Sequence, residues 1–142
     1  MSGLKHSSSD FPNIRVFSDM GLACFAGNGA LPLPGLSMGS VGTIDAPLAL
    51  APWHYVALFN AWESGNIEKA VKLQNEVGAI VKLARMFDAV ADVCKLILGK
   101  RLGVDCGRSI PPINRLTDAQ QLLIVTEADA LGLISPPEPK IL

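Results

Sequence analysis

The chain has 142 residues, 49% of them apolar, and a formal net charge of −1. That length can bury the core of one domain, and the near-neutral charge argues against a nucleic acid or an anionic membrane as its main partner. Cys24, Cys94 and Cys106 are odd in number and widely spaced, which fits reduced thiols better than a disulfide frame or a zinc site.

The opening Met1-Ser2-Gly3 leads into a charged, serine-rich stretch rather than an apolar one, so no secretory signal is read there and a cytoplasmic protein is expected. Asp10 is a candidate helix cap with Pro12 in the first turn. Phe11, Ile14, Phe17 and Met20 recur on one helical face, and Gly21 can end it. The run 20–44 holds no charged residue and is long enough to raise the question of a membrane span. Its glycines, Asn28, Pro32 and Pro34 cut it into short pieces. A buried strand over 23–27, a compact crossover and a second strand over 40–44 explain it better, and no membrane partner is expected. That spacing predicts parallel pairing, since a tight hairpin could not absorb the intervening residues.

The second half reads as helices. One is expected over 53–63, with Gly65 beyond its end. Asn66 caps the next, whose apolar stripe is Ile67, Val71, Val77, Ile80, Val81 and Ala84, with Glu68 and Lys72 at the favourable i,i+4 spacing. A third is expected over about 88–98, stopped by Gly99. After a loop over 103–115, Thr117 and Gln120 form a capping box for a helix reaching Leu131, with Gly132 as terminator. Residues 135–142, rich in proline, read as an extended tail. Basic residues outnumber acidic ones between 82 and 115. With no aromatics interleaved for base stacking, they read as solvated helix faces and not as a nucleic-acid site.

The chemistry-bearing candidate is Lys5, a lone lysine among small and hydroxylated residues. On chain position alone a solvated residue of a frayed terminus is the favoured reading. The segment Gly3-Leu4-Lys5-His6-Ser7-Ser8-Ser9-Asp10, however, resembles the strand-end motif of the Schiff-base lysine in the dihydrodipicolinate synthase/N-acetylneuraminate lyase family. Cys24-Phe25-Ala26-Gly27, Ala30-Leu31-Pro32-Leu33-Pro34 and Gly39-Ser40-Val41-Gly42-Thr43-Ile44 resemble that family's seventh strand, following helix and eighth strand. Gly107-Arg108-Ser109-Ile110-Pro111-Pro112 and Leu116-Thr117 resemble its C-terminal helical extension. The pieces occur in order, with similar spacing, from Gly3 to about Ile134.

The resemblance implies an α/β fold: the C-terminal part of a (β/α)8 barrel, about strands six to eight, over residues 1–65, with helices over 66–134. Such a barrel needs roughly 250 residues, so the chain is expected to be a truncated member or a fragment. The implied activity is that of a pyruvate-dependent class I aldolase. Lys5 would be the catalytic amine, with Gly27 and Ile44 lining the pyruvate pocket and no cofactor or metal.

The bland readings of the last two, a turn glycine and a buried strand isoleucine, stay open. Ser7, Ser8 and Ser9 are read as caps or turns, Lys95 as structural, and His6 as a structural polar residue pointing away from Lys5. The family's proton-relaying tyrosine and carboxylate-binding threonines come from earlier strands and have no counterpart here, and Tyr55 does not match that tyrosine. Asn28-Gly29 stands where many relatives carry acidic residues that meet the second substrate. The implied partners are pyruvate and an aldehyde of unspecified kind. A homo-oligomer, or pairing with a missing N-terminal half, is also expected. A competing reading is a non-catalytic module whose open sheet edge pairs with another chain.

Overall fold

The computed structural model describes residues 1–135, and the expected tail beyond Ser135 lies outside the described residues. Three short strands, β1 (Gly3–His6), β2 (Ala23–Ala26) and β3 (Gly42–Thr43), form a parallel sheet in the order β1-β2-β3. Lys5 is level with Phe25 and Phe25 with Gly42; His6 is level with Ala26 and Ala26 with Thr43. The third strand is shorter than the expected 40–44. Its ladder nonetheless runs on, as Ile44 N–H donates to the Ala26 carbonyl at 2.9 Å and Gly27 N–H to that of His6 at 2.7 Å.

Strand alternation divides the sheet into two faces. Cys24 and Ala26 are fully buried with Ile14, and Leu4, Phe11, Phe17 and Met38 pack around them. This face lies beneath α1 (Pro12–Asp19) and α2 (Pro32–Ser37), the crossover helices. Lys5, Phe25, Gly27, Gly42 and Ile44 alternate to the other face, where Lys5 is exposed and Ile44 nearly half exposed.

Two expectations at α1 are corrected. Phe11 already has helical backbone angles at the cap position and no side chain caps the helix. The Asp10 carboxylate instead accepts from the Asn13 side-chain amide at 2.9 Å. Met20 lies past the end of the helix and points to solvent.

After a 3-10 turn over Ala46–Leu50, α3 (Pro52–Glu63) and α4 (Ile67–Ala84) pack against each other. Asn66 caps α4 by accepting from Lys69 N–H at 3.1 Å. The buried residues are Ala70, Val77, Ile80, Val81, Leu83 and Ala84, whereas Ile67 and Val71 are about half exposed. Val71 shares the outward face with Lys82, and Ile67 lies in the helix's first turn.

The next helix, α5 (Val90–Leu102), does not stop at Gly99. Gly99 is needed within it because a Cβ there would lie 2.8 Å from the Val104 carbonyl oxygen; the left-handed terminator is Gly103. The capping box at Thr117 and Gln120 starts α6 (Asp118–Ala130), as its sequence predicts. Leu50, Ile80, Val93, Ile97, Ile124 and Leu133 are at the centre of the main core.

Two arginines seal that core. Arg101 donates to the carbonyls of Leu133 and Leu50 and lies 5.1 Å from the centroid of the Trp53 ring. Asp92, with a nearly fully buried side chain, accepts from Ser109 N–H at 2.7 Å, Leu116 N–H at 2.9 Å and Arg108 at 2.8 Å. Burial alone would raise its carboxyl, but these bonds and the Arg108 charge together hold it well below the usual carboxylate range. The charged residues read from sequence as solvated faces thus include one ion pair, of exposed Arg108 with the buried Asp92 carboxylate, which pins the 103–115 loop to α5. Lys95 joins the same loop by donating to the Arg108 carbonyl at 3.2 Å.

Candidate active site at the strand ends

Parallel strands leave their C-terminal ends and following loops on one rim, where α/β folds gather ligand-binding groups. Lys5 is level with Phe25, two residues before Gly27, on the face opposite buried His6. The expected divergence of the two side chains is therefore observed. His6 is 7% exposed, with its ring edge-on to Phe17 at 5.9 Å.

The Lys5 chain crosses directly over Gly27. A Cβ at residue 27 would come within 2.9 Å of Lys5 Cε, 2.9 Å of the His6 carbonyl oxygen and 2.2 Å of Ser7 Oγ. Glycine is thus required by close approach here, and Lys5 and Gly27 are brought into contact. Ser7 adds a hydroxyl at the same point. Ile44 lies one strand further across, joined to Ala26 through the ladder.

The loop after Gly27 is held by side chains from three other elements. Gly29 N–H donates to Asp45 at 2.8 Å, and the Gly29 carbonyl accepts from the Tyr55 hydroxyl at 2.9 Å. Gln74 on α4 accepts from Leu33 N–H at 3.0 Å and donates to the Ala30 carbonyl at 2.7 Å. Arg85, just past α4, donates to Asn28 Oδ1 at 3.2 Å and Asp45 Oδ2 at 3.3 Å. Burial of Tyr55 raises its phenol well above the ordinary value, an effect that the Asp45 charge reinforces. Cys94 is pushed up to about 11, by burial first and Asp45 second. Both groups are therefore protonated and inert near neutral pH.

Asp45, Gln74 and Arg85 are site residues to which sequence reading gave no role, and Tyr55 was weighed there only as a tyrosine that does not match the family's. A signal existed for Asp45, which directly follows a strand candidate. None existed for the other three, whose partners are 26 to 57 residues away in sequence. Among the described residues no group of three or more His, Cys, Asp or Glu side chains could hold a metal ion. His54 lies against Glu76 at 3.3 Å, away from the strand ends. No helix of the described chain is long and apolar enough to cross a membrane.

This parallel sheet with crossover helices on one face and a helical extension is shared with part of several solved lyases and aldolases. Sialic acid aldolase of Ruminococcus gnavus superposes with a TM-score of 0.84 at 23% identity, over 92% of this chain and 45% of that one. A second structure of that enzyme, described as a catalytic lysine mutant, superposes at 0.83 and 22% identity, over 92% and 44%. These likenesses define the fold.

The family follows from sequence. The dihydrodipicolinate synthetase family profile matches residues 1–130, and the chain belongs to that family. An uncharacterized DapA-like lyase of Halobacterium salinarum is 31% identical over 136 residues, 94% of this chain and 44% of that protein. The 4-hydroxy-tetrahydrodipicolinate synthase of Mycobacterium leprae is 34% identical over 107 residues, 74% of this chain and 35% of that protein. The chain thus spans less than half the length of these curated relatives.

Proposed function

We propose that the chain carries the Schiff-base-forming part of a pyruvate-dependent class I aldolase, with β1, β2 and β3 as strands six to eight of a (β/α)8 barrel. Lys5 is the nucleophile. Its neutral amine attacks the ketone carbon of pyruvate, and the carbinolamine loses water to give a protonated imine. That imine draws electrons, so the methyl carbon releases a proton and an enamine forms. The enamine carbon attacks an aldehyde, making the carbon–carbon bond; hydrolysis of the resulting imine frees the product and restores the amine. Cleavage runs the same steps backwards. In this reading Gly27 gives the lysine chain room to cross the strand end, and Ile44 lines the pyruvate pocket.

The observation that carries the reading is the contact of Lys5 with Gly27 at the strand ends, on a sheet face left open by α1 and α2. The catalytic lysine named for the Ruminococcus enzyme supports it by likeness of fold. Proton relay and the carboxylate clamp would come from further strands. The unpaired outer edges of β1 and β3 suit such strands, supplied by a copy of this chain or by the rest of the family's barrel. Trapping with borohydride in the presence of pyruvate tests this. The expected result is a single reduced adduct on Lys5, absent in Lys5→Arg, with little aldolase turnover by the 142-residue chain alone. Adducts spread evenly over the lysines would refute the assignment. No adduct at all, with self-association on sizing, would favour a non-catalytic pairing module instead.

A further inference from the structure

A cleft of about 450 Å³ lies between α5, the loop that follows it and α6. It shares no residue with the strand ends, and its volume is in the range of small-molecule sites. Lys95, Leu96, Gly99 and Lys100 line it from one face of α5, and Val104 faces them from the loop.

The walls are held in place by the protein itself. Val104 N–H donates to the Gly99 carbonyl at 3.1 Å, which closes the returning chain onto the helix. Gly107 N–H donates to Asp105 at 2.7 Å, and Asp92 ties Arg108 and Ser109 back to α5. A preformed cleft of this kind spares a ligand most of the cost of ordering it.

Its positive charge is not used up. Asp92 is matched by Arg108. Lys95 spends one of its three donors, on the Arg108 carbonyl at 3.2 Å. Exposed Lys100 has no hydrogen-bonding partner among the described residues, and neither lysine pairs with a carboxylate there. Against the two ammonium groups stand Asp105 and the C-terminal end of α5, which counts as roughly half a negative charge. The balance stays positive.

We infer that this cleft is a second binding site, for a small organic phosphate. Its phosphate group meets Lys95 and Lys100, and its carbon skeleton lies against Leu96 and Val104. Lysine ammonium groups are point charges that suit a phosphate, whereas planar carboxylates are matched best by arginine, and the guanidinium here is committed to Asp92. The lining holds no aromatic side chain on which a base could stack.

Glycerol phosphate, with glycerol as its uncharged counterpart, tests this on the isotope-labelled full chain by NMR at constant ionic strength. The expected result is a saturable millimolar shift of the amides of Gly99, Gly103, Val104 and Gly107 with the ester and none with glycerol. Inorganic phosphate, which lacks the skeleton, should saturate the same amides several-fold more weakly. Lys100→Glu should weaken the ester several-fold while the amides of α3 and α4 keep their positions, which guards against a folding defect. Lys100→Arg should retain binding, and Lys5→Arg should leave it unchanged. Succinate shifting these amides as strongly as the ester overturns the phosphate class. Absent or non-saturating shifts, or shifts that persist in Lys100→Glu, overturn the site and leave the assignment of Lys5 untouched.

Discussion

The strand region and the helical region bury their residues very differently. In the helices, Leu50, Val93, Ile97, Ile124 and Leu133 are fully enclosed, and Asp92 and Arg101 satisfy the backbone groups around them. In the strands, Ile14, Cys24 and Ala26 are enclosed on one face only, and the face that bears Lys5 and Ile44 is open. A parallel sheet is ordinarily covered on both faces. The region that bears Lys5 is thus the one with an uncovered face, and the helices are its scaffold. The grip of Tyr55, Gln74 and Arg85 on the 28–33 loop couples the two.

The largest expected effect tests whether the scaffold is the more stable partner. Asp92→Ala strands the buried N–H groups of Ser109 and Leu116 and frees Arg108. Each stranded group costs about 1–3 kcal/mol, so urea unfolding should lose roughly 2–5 kcal/mol. The carboxyl of Asp92 is held below its unfolded value, so its contribution is complete above about pH 4 and fades as pH falls through the lower folded value. The gap between wild type and variant should therefore narrow in acid and be constant from pH 5 to 7. A gap that widened in acid would contradict the ion pair.

A smaller effect should separate the regions. Tyr55→Phe removes the partner of the Gly29 carbonyl, at about 0.5–2 kcal/mol. Hydrogen exchange is expected to quicken first at the amides of residues 29–31, ahead of α5 and α6. Equal quickening throughout would mean that strands and helices open as one unit. The smallest effect checks the corrected stripe of α4. Val71→Thr, on its outward face, should change stability by no more than about 0.5 kcal/mol, whereas Val77→Thr places an unpartnered hydroxyl in the core and should cost about 1–3 kcal/mol.

Local signals in the sequence were read correctly where a residue's partner is near in the chain. Asn66 with Lys69 and Thr117 with Gln120 are caps three residues long, and both formed. The opposite pointing of Lys5 and His6 follows from strand alternation and was likewise legible. Asp10 failed as a cap because Asn13 competes for its carboxylate. Gly99 failed as a terminator because the returning chain at Val104, and not the helix end, demands a glycine there. Buried Asp92 looked like any surface charge, since its three donors lie 16 to 24 residues away.

By itself, the sequence determined the order of the elements, the parallel sense of the strands and the side of β1 on which the amine emerges. Spacing, glycine placement and alternation act between near neighbours, and the chain's chirality does the rest. Only the tertiary structure decided that Lys5 crosses Gly27, that Asp45 and Tyr55 hold Gly29 at its N–H and its carbonyl, and that Arg85 reaches the residues just past two strand ends. The first depends on the pairing of β1 with β2, and the other two on how α3 and α4 pack against each other and against α2. Such packing is set by the shape of whole buried faces, which short-range patterns along the chain do not encode.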